Sequence, residues 1–146
     1  MSNYLNDPLF LRQIIMDHYE YPRNHHLSDD PGFKSKHMAA DSCIDDIKVQ
    51  VKLDHGTIEA IEFDGVACTI STASTSIMTE LLKGKSVDEA LALIDEYNAM
   101  INLKPFSQEH LKEAVAFQNV GKQANRIGCA TIGWRAMEAL LKGEQE

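Results

Sequence analysis

Three cysteines, Cys43, Cys68 and Cys129, and the aspartate two residues after the first, Asp45, are the side chains of this 146-residue chain whose types point to metal or sulfur chemistry. Thiolate is the form of cysteine that binds metal and attacks sulfur. Three thiolates and one carboxylate supply the four donors of a tetrahedral zinc site, with Zn–S near about 2.3 Å and Zn–O about 2.0–2.2 Å. In an extended segment residues i and i+2 point the same way, so Cys43 and Asp45 can offer sulfur and oxygen to one ion. Such a donor set is strongly anionic, and Arg126, three residues before Cys129, is the cation placed to offset it.

Spacing alone leaves a second reading open. The odd number of cysteines excludes a fully paired intramolecular disulfide framework, but no C-x-x-C pair is present. Free cysteine is among the most buried residue types and often serves as a small apolar side chain. Three inert core thiols, with Asp45 a solvated or capping loop residue, satisfy the same spacing. Asp41 competes with Asp45 as an oxygen donor. His25, His26 and His37 read as solvated residues of a polar loop around Pro31-Gly32.

The elements that would carry these residues follow from periodicity. Leu11, Ile14, Ile15 and His18 predict a helix over 8–19, ended by Pro22. Ile47, Val49, Val51 and Leu53 alternate with polar residues, Asp54-His55-Gly56 is a turn, and 57–63 resumes the alternation, which predicts a β-hairpin. Asp64-Gly65 then reads as a turn, with Val66-Ala67 opening a third strand. The Ser/Thr-rich stretch 69–82 is poor in helix formers, yet Ile70, Ala73, Ile77 and Leu81 fall on one helical face. Ser86 and Glu89 form a capping box for a helix reaching Met100. Pro105 ends that run, Ser107 caps a helix over 108–118, 121–128 reads as a polar connector, and a last helix runs from 129 to 141. Each cysteine therefore falls at a junction between elements. Cys68 and Cys129 fall at predicted helix starts, where unpaired N–H groups favour thiolate.

Composition sets the class. Apolar residues make up 44% and charged residues 25% of the chain, an ordinary globular balance. The length predicts one domain over 1–146. A net charge of −8 argues against nucleic acid and anionic membrane as partners. No apolar run reaches the roughly 18 residues of a membrane span and no signal-peptide core is seen, which predicts a cytoplasmic protein with reduced thiols. No Ser-His-Asp or paired-carboxylate pattern supports a hydrolase, and Ser71, Ser74 and Ser76 read as helix-packing residues.

The residues around the cysteines resemble a known family. Asp17-His18-Tyr19 followed by Pro22-Arg23-Asn24 is similar to its N-terminal "DHY…PRN" segment. Gly65-Val66-Ala67-Cys68-Thr69-Ile70-Ser71-Thr72-Ala73-Ser74 is similar to its "G-x-G-C-x-I-S-x-A-S" stretch, and Arg126-Ile127-Gly128-Cys129-Ala130-Thr131 with Trp134 to its third-cysteine motif. Over nearly the whole chain the sequence resembles the SufU/IscU proteins of iron–sulfur cluster assembly, related to the N-terminal domain of NifU. The long stretch between Cys68 and Cys129, and Gly128 where IscU proteins carry histidine, place the resemblance nearer the SufU branch. The family pattern departs at Ala40, Asp41, Ile44, Ala67 and Gly128, beside every cysteine, while all four donors remain.

The resemblance implies an α+β fold, with a small antiparallel three-stranded sheet and helices packed on one face and at its end. It implies Cys43, Asp45, Cys68 and Cys129 as metal ligands, and Zn²⁺ or a transient [2Fe–2S] cluster as their occupant. It also implies a cysteine desulfurase of the SufS type and cluster-accepting proteins as partners. Cys43 is expected to be the sulfur acceptor. The alternatives are a structural-zinc interaction domain, or an altered paralogue that does not transfer sulfur.

Overall fold

The computed structural model describes residues 6–39 and 44–143. Helix α1 (Pro8–Glu20) starts at Asp7, whose carboxylate accepts the Leu9 N–H, with proline at the first turn where no N–H is needed. Strands β1 (Lys34–Ala39), β2 (Asp46–Asp54) and β3 (Thr57–Val66) follow, then α2 (Thr69–Leu82), α3 (Val87–Ile101), α4 (Gln108–Leu111), two 3₁₀ turns (Lys112–Phe117 and Val120–Lys122) and α5 (Ala124–Leu141).

The sheet is antiparallel in the order β1-β2-β3. Its inner face, built from Ile47, Val49, Val51, Ile61 and Phe63, is fully buried. Helix α5 lies against β1 and β2, and α2 against α5, α1 and β3. This is the expected α+β arrangement of three strands with helices on one face.

Three local expectations are corrected. The third strand is not a segment after Gly65. It is Lys34–Ala39, read from sequence as loop, and it carries His37. None of its residues is buried, so it lacks the apolar alternation that marks a strand, and pairing with β2 defines it. Asp64-Gly65 is no turn either, because β3 continues to Val66. The predicted helix over 108–118 is a single α-turn followed by a 3₁₀ stretch, joined at Lys112 with φ 50° and ψ −126°.

Gly65 shows why β3 can continue. Its φ is +134°, and a Cβ there would sit 2.3 Å from the Asp46 carbonyl oxygen and 2.8 Å from Ile47 Cα. Only glycine lets the strands approach this closely, and Asp45 and Cys68 lie just beyond the end of this ladder. Gly65→Ala should therefore destabilise the fold by about 1–3 kcal/mol, read as a lower urea midpoint with unchanged m. A midpoint equal to wild type would show that the contact is dispensable.

Candidate metal centre

Asp45 ends the segment that enters β2. It is 2% exposed, which excludes the solvated-loop reading. One carboxylate oxygen, Oδ1, accepts the Cys68 N–H at 2.8 Å, and Oδ2 lies 3.8 Å from Cys68 Sγ. The register explains the meeting, since Asp46 is the partner of Val66 and the ladder, continued outward, brings the preceding residue toward the start of α2.

Cys68 is the N-cap of α2. Its backbone is extended (φ −75°, ψ 175°) and its sulfur accepts the Ser71 N–H at 3.4 Å. The sequence pointed to a lowered thiol pKa at this helix start, but the balance goes the other way. Burial, and then the neighbouring Asp45 carboxylate, push the Cys68 thiol up against the lowering by the Ser71 N–H. The thiol so kept protonated points toward Asp45 Oδ2, the place a bound cation would take from its proton.

Cys129 is not at a helix start. The expected connector 121–128 is helical from Ala124, so Cys129 is the sixth residue of α5. Gln123, Ala124, Asn125 and Arg126 lack an apolar face, and no side chain caps this end, so sequence carried no signal for it. Cys129 is 2% exposed. The donor atoms of Asp45, Cys68 and Cys129 all lie within 4.8 Å of one another. Donors around a tetrahedral zinc stand about 3.5–3.8 Å apart, from bonds of about 2.0–2.3 Å, so this borderline-soft S₂O set fits zinc or a thiolate-held iron–sulfur centre. Cys43 and Asp41 lie outside the described residues. Arg126 sits on the exposed first turn of α5, one turn before Cys129, and its side chain makes no hydrogen bond or ion pair among the described residues.

Two helices hold the trio together. At Gly133 a Cβ would lie 2.4 Å from Thr75 Oγ1, so the missing side chain sets the close approach of α5 to α2. Trp134 Nε1 donates to Ser74 Oγ at 2.9 Å, the Ser74 hydroxyl donates to the Ala130 carbonyl at 2.6 Å, and the Tyr97 hydroxyl donates to the same carbonyl at 2.7 Å. The Trp134 and Tyr97 rings stack at 3.8 Å, 4° from parallel. Ser74 is thus a buried packing residue, as its place in the helix suggested. The family departures at two cysteines leave the trio in place. A Cβ at Gly128 meets nothing within 4 Å, and Ala67 packs on the core rim. Neither change disturbs the trio.

The histidines are not simply solvated. His25 pairs with Asp64 at 3.2 Å, His26 with Glu62 at 2.8 Å, and His37 with Asp46. One arrangement escaped the sequence reading. Buried His18 contacts Ser76 Oγ at 2.8 Å through Nδ1 and Glu113 Oε1 at 3.0 Å through Nε2. It has the components of a Ser-His-Glu triad, but Ser76 is 0% exposed and its oxygen also accepts the Arg23 N–H at 2.8 Å. No substrate reaches it, and it serves to pin α1 to α2. Its members are separated by 58 and 95 residues, and no local signal links them. Among the described residues no helix is long and apolar enough to cross a membrane.

Comparison with known proteins agrees with this geometry. The family model for the NifU-like N-terminal domain matches residues 11–142. The zinc-dependent sulfurtransferase SufU of Bacillus subtilis is 37% identical over 146 residues, covering 99% of this chain and 98% of its own. The iron–sulfur cluster assembly scaffold protein IscU of Streptococcus pyogenes is 38% identical over 130 residues, covering 88% of this chain and 80% of its own. Among solved structures, the putative iron–sulfur cluster assembly scaffold protein for the SUF system from Fervidobacterium islandicum superposes with a TM-score of 0.80 at 27% identity, covering 88% of this chain and 94% of that one. With a family model spanning most of the chain, full-length likeness to SufU and convergence of the motif-borne Asp45, Cys68 and Cys129, this chain belongs to the NifU-like N-terminal domain family.

Proposed function

We propose that this protein acts in iron–sulfur cluster assembly as a zinc-dependent acceptor of sulfur from a cysteine desulfurase of the SufS type, with Cys43, Asp45, Cys68 and Cys129 as ligands. The observation that carries the reading is the convergence of Asp45, Cys68 and Cys129 at one end of the sheet. Likeness to a zinc-dependent sulfurtransferase along its whole length supports it. Bound Zn²⁺ supplies positive charge that holds the thiols as thiolates at neutral pH.

The remaining chemistry belongs to the chain. Asp45, fixed by the Cys68 N–H, presents its other oxygen to the sulfurs. Cys129 and Cys68 are held on packed helices. Cys43 lies on the segment leading to Asp45 and is the acceptor. Its thiolate attacks the outer sulfur of the desulfurase's cysteine persulfide. A new S–S bond forms on Cys43, the old one breaks, and the desulfurase cysteine leaves as thiolate. Arg126 offsets the anionic donors from the first turn of α5. Ile44 and Val66, 68% and 61% exposed, give the mouth of the site an apolar lip suited to a protein partner. Sulfur then passes to cluster-accepting proteins.

The test is metal content and visible spectrum of protein purified without oxygen, followed by sulfide release from cysteine by a SufS-type desulfurase with and without it. Colourless protein with one zinc that stimulates release supports the reading. Brown protein moves the function to a [2Fe–2S] scaffold on the same ligands. Tight zinc without stimulation identifies a structural-zinc domain or a paralogue that has lost transfer.

The oxygen ligand is tested separately. Asp45→Ala should weaken zinc retention by at least about tenfold, the lower end of what removing even outer-shell support costs. Asp41→Ala should leave it near wild type. Competition with a chromogenic chelator reads both, and equal retention in the two variants, or the reverse order, would overturn the assignment of Asp45.

A further inference from the structure

A second concavity lies away from the metal centre, between the end of α2, α3 and α4. It encloses about 400 Å³, within the roughly 300–1,000 Å³ of small-molecule sites. Leu81, Ala92 and Leu93 give it an apolar floor, and Lys85 and Lys112 stand at its edge. The same Leu81, Lys85 and Lys112 line an adjoining concavity of about 140 Å³, so the two lysines stand where the cavities meet.

The charges here are unevenly satisfied. Glu89 accepts the Ser86 N–H at 3.0 Å in the capping box. Glu96 accepts the Ser107 N–H at 2.6 Å and contacts His110 Nδ1 at 2.8 Å. The Lys85 and Lys112 ammonium groups make no hydrogen bond or ion pair among the described residues, although Glu89, held below the ordinary carboxyl range chiefly by its bonds with Ser86, also feels the charge of Lys85. Of the carboxylates at the larger cavity only Glu109, exposed on α4, is likewise unengaged. Two ammonium groups without a direct ion pair, only one of them near a carboxylate that feels its charge, stand over this apolar floor on a chain of net charge −8.

The backbone at Lys112 adds to this. Its φ of 50° and ψ of −126° form a conformation that side-chain-bearing residues rarely adopt and that persists where surroundings enforce it. On one side α4 is capped by Ser107, whose hydroxyl accepts the His110 N–H at 3.3 Å. On the other, Ala114 and Val115 are fully buried. The chain is forced through this turn, and the turn sets a cation on the rim.

We infer that this cavity binds a small amphiphilic anion, an apolar chain or ring bearing one carboxylate or comparable acidic group. The body would cover Leu81, Ala92 and Leu93, and the anion would pair with Lys85 and Lys112 through charge-assisted hydrogen bonds. The site is independent of the metal centre and of the sulfur-transfer reading.

The experiment is titration of the full-length protein with decanoate, followed by backbone amide NMR shifts. Shifts should centre on Leu81, Leu93 and Lys112. Binding should weaken about tenfold or more in Lys85→Glu/Lys112→Glu, and also in Lys112→Gly, which removes the ammonium while relaxing the turn and so keeps the fold. Decanol, with the same chain and no charge, should bind about tenfold more weakly. Decanoate binding that is absent, centred elsewhere, indifferent to both variants or matched by decanol would overturn the proposal. So would a polyglutamate peptide binding as tightly as decanoate, since that would make the site a charge patch for acidic protein.

Discussion

Cys43→Ser should abolish stimulation of a cysteine desulfurase by this protein. The acceptor must be a thiolate that reaches another protein's persulfide, and a serine hydroxyl has neither the acidity nor the nucleophilicity for that exchange. Cys68→Ser and Cys129→Ser should also lose stimulation, by a different route. Cys68 and Cys129 sit at the cap of α2 and in the second turn of α5, with sulfurs in one cluster with the Asp45 carboxylate. Removing either leaves two donors of the trio and a loosened site, so metal content should fall along with activity. The discriminating measurement is zinc per chain alongside sulfide release for all three variants. Stimulation surviving in Cys43→Ser would remove Cys43 from the acceptor role. Full zinc in Cys68→Ser would remove Cys68 from the ligand set.

The second large effect is expected in the packed core behind the thiols, at a residue that supplies no donor atom to the trio. Trp134→Ala should cost about 3–5 kcal/mol, the range for deleting a large buried aromatic. Its ring is fully buried and stacked on Tyr97, and its N–H is the third bond of the Ser74–Ala130–Tyr97 cluster. For a chain of this size that corresponds to a fall in Tm of more than about 6 °C. Trp134→Phe keeps most of the ring contact and loses the hydrogen bond to Ser74, so about 1–2 kcal/mol is expected. The cluster clamps α5 onto α2, the helices that carry Cys129 and Cys68. Zinc retention should therefore fall in Trp134→Ala although no ligand is touched. Calorimetric unfolding of the metal-free proteins separates the two effects. A Trp134→Ala protein within about 1 kcal/mol of wild type would show that the stack does not hold these helices together.

Glu113 illustrates how the same packing responds to pH. Its hydrogen bond to His18, the largest cause, holds its carboxyl below the ordinary range. A depressed carboxyl stabilises the fold above its unfolded pKa, and that contribution is lost as pH falls through the folded value. Glu113 is half exposed, so the effect is small beside that of Trp134.

What the sequence determined by itself is local or carried in a motif. The Ser86–Glu89 capping box is contained in four residues and forms as read. The β2–β3 hairpin follows from the apolar alternation of Ile47, Val49, Val51 and Leu53 and a second strand pattern after the turn, and its turn residue His55 takes the positive φ such a turn needs. The motifs flanking Cys68 and Cys129 point to the family, to which the chain belongs, and to these two thiols, which the structure brings together with Asp45.

Tertiary structure decided the rest. Residues 69–82 are weak helix formers, yet α2 forms because nearly all of it is buried among α1, α5 and the sheet, and burial outweighs propensity. β1 has no buried residue of its own and exists because β2 offers it a ladder. Asp45 is held against Cys68 by the Cys68 N–H, a contact between residues 23 apart that no local pattern encodes. The Cys68 thiol pKa lies above its ordinary value, against the expectation from a helix start, because burial and a neighbouring carboxylate are tertiary features. Cys68 and Cys129 meet because Gly133 lets α5 approach Thr75, a contact between residues far apart in the chain that no local pattern encodes.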